Sequence, residues 1–130
     1  MQAFVSEAYP VLLRDCGFPA CHGDSRRFFQ VYGPGRTRLS ADTRPYDNAT
    51  PDEVMRSYDR ARSMLSSTHD PGPPLLLRKP LAVSAGGAGH KGDDPWQQPI
   101  YRSAVDPDFQ ALRAWALTVQ PSSVADAGLP

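Results

Sequence analysis

The chain has 130 residues, 40% of them apolar, and its 14 basic and 14 acidic side chains cancel to a formal charge of zero. That balance excludes a disordered chain, and it lacks the basic surplus that a nucleic-acid or anionic-membrane binder needs. No stretch approaches the ~20 apolar residues of a membrane span. Length predicts one domain over residues 1–120, with residues 121–130 as a mobile tail or linker, and ten glycines with fourteen prolines make much of it loop.

Residues 3–16 read as a first helix. Val5, Ala8, Leu12 and Cys16 share one face at helical spacing, with Tyr9 on its edge. Pro10 lacks an N–H, so the helix is expected to kink there or to begin near it. The helix delivers Cys16 to the apolar side. Its chain neighbours then read Cys16-Gly17-Phe18-Pro19-Ala20-Cys21-His22-Gly23 and hold both cysteines of the sequence.

Three chemistries fit that stretch. A cysteine pair with histidine directly after the second is the pattern of c-type haem attachment, each thiol bonding one vinyl group and His22 serving as proximal iron ligand. Four residues separate the cysteines where two are usual, so the extra pair must bulge, for which Gly17 and Pro19 are suited. Alternatively Cys16 and Cys21 close a short disulfide in an exported protein. In the third reading they hold a structural zinc together with His22 and a distant histidine.

Residues 26–32 (RRFFQVY) are aromatic and β-branched, a strand or an extended segment laid over an apolar surface, and Gly33-Pro34-Gly35 ends them. Arg36 and Arg38 follow in a polar loop. In a haem protein their guanidinium groups match propionate carboxylates, and otherwise they are solvated surface residues. Thr50-Pro51-Asp52-Glu53 starts a helix, with Thr50 as N-cap and Glu53 completing a capping box. It is expected to run to about Ser66 with a buried stripe of Val54, Tyr58, Ala61 and Leu65. Met55 and Met64 fall on opposite flanks of that stripe.

A stiff linker, His69-Asp70-Pro71-Gly72-Pro73-Pro74, leads to Leu75-Leu76-Leu77-Arg78-Lys79-Pro80, a short buried helical segment that must end before Pro80. Next comes Ser84-Ala85-Gly86-Gly87-Ala88-Gly89-His90-Lys91-Gly92. Glycines around one histidine let backbone approach something flat and bulky, or else form a plain surface loop. Asp106-Pro107-Asp108 caps the last helix, which runs to about Val119 and buries Phe109, Leu112, Trp115, Ala116 and Val119. That helix is expected to cross the first.

Taken together, the Cys-Cys-His-Gly motif after a helix, the LLLRKP segment, the GGAGH loop and the terminal helix with Leu112 and Trp115 resemble the planctomycete-type c-type cytochrome domains, over roughly residues 4–119. The resemblance implies a mainly α, cytochrome c-like fold of about three to five helices around one covalent haem c. It also implies Cys16 and Cys21 on the porphyrin, proximal His22, and His90 as the second axial ligand, with Met64 and His69 as weaker candidates. The implied function is electron transfer to a redox partner protein, alone or in a homo-oligomer or haem chain, and not catalysis. A haem enzyme or a gas or peroxide sensor with a labile sixth ligand is the alternative. The implied compartment is periplasmic or extracellular. The opening Met1-Gln2-Ala3-Phe4 has neither the basic start nor the apolar stretch of a signal peptide, so a mature or excised domain is expected.

Overall fold

In the computed structural model, which describes residues 1–66, 72–90 and 98–119, the first helix starts in an unexpected register. Phe4–Ala8 form a π turn, closed by the Tyr9 N–H on the Phe4 carbonyl, and α1 (Tyr9–Asp15) continues from it. The cause is Pro10, which can make no helical bond and whose ring crowds the carbonyl four residues back; a widened turn just before it relieves both. The wider turn also rotates the preceding residues. Phe4 becomes fully buried and Val5 is 45% exposed, so Val5 leaves the expected face while Ala8, Leu12 and Cys16 keep it.

α2 (Pro51–Ser63) opens with the expected capping box: the Thr50 N–H donates to Glu53 Oε2 at 2.9 Å, and the Glu53 N–H to Thr50 Oγ1 at 3.2 Å. Its buried face is a correction. Glu53, Ser57 and Ala61 are buried at four-residue spacing, while Val54 and Tyr58 are only partly covered. The face turns by one residue because Glu53 and Ser57 meet polar partners from distant loops, described below. Phe4 packs its ring on Tyr9 and Tyr58, with centroids 5.7 and 5.2 Å away, and so joins α1 to α2.

α3 (Leu75–Arg78) is one turn long, buries Leu76 and Leu77, and stops before Pro80 as expected. Past it, the Ala82 N–H donates to the Tyr101 carbonyl and the Tyr101 N–H to the Pro80 carbonyl, making a lone parallel bridge of Leu81 with Tyr101. α4 (Pro107–Val119) is capped by Asp106, whose Oδ1 accepts the Asp108 N–H at 2.9 Å. It buries Phe109, Leu112, Trp115 and Ala116 and packs on α3.

Among the described residues the fold is thus mainly α, with four α-helices and no strand. No helix there is long and apolar enough to cross a membrane. The chain divides into two compact units, Met1–Ser63 and Met64–Pro130. α1 belongs to the first and α4 to the second. The expected linker at His69 and the tail at 121–130 lie outside the described residues.

Candidate functional site

α1 ends at Cys16, whose N–H still reaches the Leu12 carbonyl at 2.9 Å, as does that of Gly17 at 3.0 Å. The side chain of Cys16 is thereby left on the buried face of the helix. Burial pushes its thiol up to about 12, with Asp15 and Cys21 adding to the rise and Arg14 opposing it. Cys21 is partly exposed, and both cysteines are free thiols. A thiol held neutral at physiological pH is a weak nucleophile for disulfide exchange.

Between the cysteines the backbone folds on itself. The Phe18 carbonyl accepts the N–H groups of Cys21 and Gly23 at 2.8 and 2.9 Å, and the His22 N–H closes on the Cys16 carbonyl at 3.0 Å. Phe18, Pro19 and Ala20 stand exposed at the tip, which is the bulge that the four-residue spacing demands. Gly23 admits no side chain: a Cβ there would meet the Gly17 carbonyl at 2.7 Å and Thr37 Oγ1 at 2.8 Å. Thr37 Oγ1 donates to the Gly23 carbonyl at 2.6 Å and ties the loop's far end down.

His22 is held by the aromatic segment that follows it. Its Nδ1 lies 3.0 Å from the Phe29 carbonyl, its ring stands 4.6 Å from the Phe29 ring, and its own carbonyl accepts the Val31 N–H at 2.9 Å. A carbonyl can only accept, so Nδ1 carries a proton and donates it to Phe29. An Nδ1–H donated to a fixed carbonyl is also how metal-ligating histidines are oriented.

The segment that supplies this acceptor is the aromatic run at 26–32, which turns and bends through Phe29 and forms no strand. It is pinned on its other side, where Tyr9 Oη donates to the Tyr32 carbonyl at 2.6 Å and the Tyr32 N–H to Ser57 Oγ at 3.0 Å. α1 and α2 thus fix the carbonyl that fixes the imidazole. Phe29 was invisible to sequence reasoning in this role, because a backbone carbonyl has no residue signature.

The two arginines part company. Arg38 faces Glu53 through Nε and Nη2, both at 2.8 Å, with its side chain 8% and that of Glu53 1% exposed. Its remaining N–H groups go to the carbonyls of Arg44, Asp47 and Asn48. All five donors of the guanidinium are therefore spent, and Arg38 ties the loop at 44–48 to Glu53 at the start of α2. Burial works to raise the Glu53 carboxyl, but Arg38 and the N–H groups of Thr50 and Leu39 outweigh it and hold the group at about 2. Arg36 spends three donors, on the carbonyls of Leu13, Gly35 and Arg14.

In the second unit His90 is partly buried on the wall of a cleft of about 290 Å³, lined also by Lys79, Leu81, Ala82, Val83 and Pro99. The glycines before it serve the chain itself. A Cβ at Gly87 would run into the Leu81 carbonyl, and Gly86 and Gly89 take left-handed conformations at φ 89° and 72°. Those glycines close a turn over Leu81 and Ala82. Met64 is partly buried beyond the end of α2, and His69 lies outside the described residues. Among the described residues no three His, Cys, Asp or Glu side chains gather as a metal-binding group. Compared with family models, curated proteins and solved structures, the chain matches none.

Proposed function

We propose that this chain is an electron-transfer module with one covalently attached c-type haem. The observation that supports the reading is the Nδ1–H of His22 held by the Phe29 carbonyl, directly after a cysteine pair of free thiols. The disulfide alternative gives the imidazole no task, whereas haem uses a histidine held in that tautomer directly after the second cysteine. Cys16 and Cys21 would supply the thioether sulfurs, and His22 Nε2 the proximal nitrogen. The haem, when bound, supplies a one-electron iron couple, and the protein contributes ligation, burial and an edge for a redox partner.

His90 is the proposed second axial ligand. Its support is its position on the wall of an apolar cleft in a backbone turn held by Gly86 and Gly87, with Met64 and His69 as weaker choices. With both axial positions filled, small substrates have no route to iron, which is the basis for electron transfer over catalysis. Arg36 keeps two N–H groups beyond its three carbonyls and is the one arginine of the pair able to meet a propionate as well. Thioether attachment implies a periplasmic or extracellular setting.

The test is the absorption spectrum of the purified, dithionite-reduced protein made in a host that matures c-type haem. A reduced haem c band is expected in the parent and none in the Cys16→Ser/Cys21→Ser variant. A colourless parent protein would sink the proposal.

A further inference from the structure

The four-residue spacing sets a problem that a two-residue spacing does not. Cys16 is fixed by α1, but Cys21 comes after a longer loop and is held only as well as that loop is. Arg36 occupies the seam between them. Its Nε donates to the Leu13 carbonyl at 2.8 Å and its Nη2 to the Arg14 carbonyl at 3.2 Å, both in the last turn of α1, where carbonyls lack helical partners. Its guanidinium carbon stands 4.0 Å from the centroid of the Phe18 ring, close enough for a cation–π contact with the bulge itself. Its stem passes over Gly17: a Cβ there would lie 3.3 Å from Arg36 Cγ and 2.9 Å from the Leu13 carbonyl. One side chain therefore grips the end of the helix and the tip of the loop at once.

We infer that Arg36 is a positioning residue that clamps the widened Cys16–Cys21 loop to the end of α1 and so places Cys21 for the second thioether. The inference rests on the haem reading above and goes beyond it by assigning how the wide spacing is accommodated. Each thioether forms by adding S–H across a vinyl C=C bond: sulfur bonds one carbon, the hydrogen ends on the other, and no net electrons are exchanged. The reaction needs only the thiol within reach of its vinyl group, so a loosened loop leaves Cys21 unreacted while Cys16 still bonds.

The test counts leftover thiols. Mature protein is denatured, reduced, treated with iodoacetamide and weighed: each cysteine without a thioether takes one label, and peptide mapping locates it. The parent is expected to take none. Arg36→Met is expected to take one label, on Cys21, in most molecules, and Arg36→Lys to do so in part, because lysine lacks the planar fork. Phe18→Leu, a change at a 46% exposed position that leaves the fold intact, is expected to give a smaller fraction of the same product. Thr50→Ala, which weakens the same unit away from the loop, is the control and should take no label. An Arg36→Met protein with no label, or with label shared equally by Cys16 and Cys21, overturns the clamp and leaves the haem reading standing. A parent that takes two labels overturns both.

Discussion

Two histidines lie in glycine-bearing loops, and the loops are built differently. At His22 the glycines make way for other parts of the chain, Gly17 for Arg36 and Gly23 for Thr37, and the imidazole is fixed by a carbonyl from a segment that two helices hold. At His90 the glycines fold the backbone onto the Leu81 carbonyl, and the imidazole ends on the wall of a cleft. The comparison teaches that glycine beside histidine says little about ligation. What distinguishes a ligand is the partner of its second ring nitrogen, which sets the tautomer before any metal arrives.

The largest expected effect separates the two histidines directly. His22→Ala should abolish the accumulation of haem-loaded protein, whereas His90→Ala should keep covalent haem and open the sixth position to carbon monoxide. His90→Met should raise the reduction potential relative to the parent, since methionine ligation favours the ferrous state. An unchanged potential and refusal of carbon monoxide by both His90 variants would remove His90 from the coordination sphere.

Next in size is the scaffold behind His22. Glu53→Ala strips Arg38 of its buried partner and α2 of its capping box at once, a loss on the order of 3–5 kcal/mol, measurable as a fall in the urea midpoint. The sign of the pH dependence follows from the same carboxyl. It sits at about 2 in the folded protein and near 4.3 in an unfolded chain, about the ordinary glutamate value. The unfolded chain therefore binds more protons between those values, and the stabilisation is complete above about pH 4.3 and lost as pH falls toward 2. Tyr9 sets the opposite limit. Burial, with Glu53 adding and Arg38 opposing, pushes its hydroxyl up to about 12. Its contribution is whole below the ordinary tyrosine value of about 10 and fades as pH rises through 12. A urea midpoint flat from pH 4 to pH 2 would contradict the assignment to Glu53.

The smallest effect belongs to the other loop. Gly87→Ala forces a methyl into the Leu81 carbonyl and should cost about 1–3 kcal/mol, read as a lower melting temperature. If that turn only supports His90, the variant should keep haem attachment unchanged while its sixth ligand becomes easier to displace.

Features that depend on neighbours in sequence were legible in it. The Thr50–Glu53 capping box, the Asp106 cap and the end of α3 before Pro80 follow from side chains within a turn of the backbone they satisfy. The bulge at Phe18–Ala20 was equally legible, because two residues beyond the usual spacing have nowhere else to go. What depended on distant partners was not. The turn of α2 toward Glu53 and Ser57 requires Arg38 and Tyr32 from loops fifteen or more residues away. The exposure of Val5 follows from a π turn that only Pro10 could have hinted at. The Phe29 carbonyl left no trace in the residue types at all. Arg36 and Arg38 looked alike in sequence, and only their partners separate a fully spent guanidinium from one that spans a helix end and a loop.

The most direct measurement of the central claim is the intact mass of the purified mature chain, taken under denaturing conditions that strip any haem not covalently bound. The account expects a mass above that of the polypeptide by one haem, which a pyridine haemochrome assay on the same sample would identify as type c. A mass equal to the bare polypeptide, or one lighter by two hydrogens as a Cys16–Cys21 disulfide would give, would contradict it.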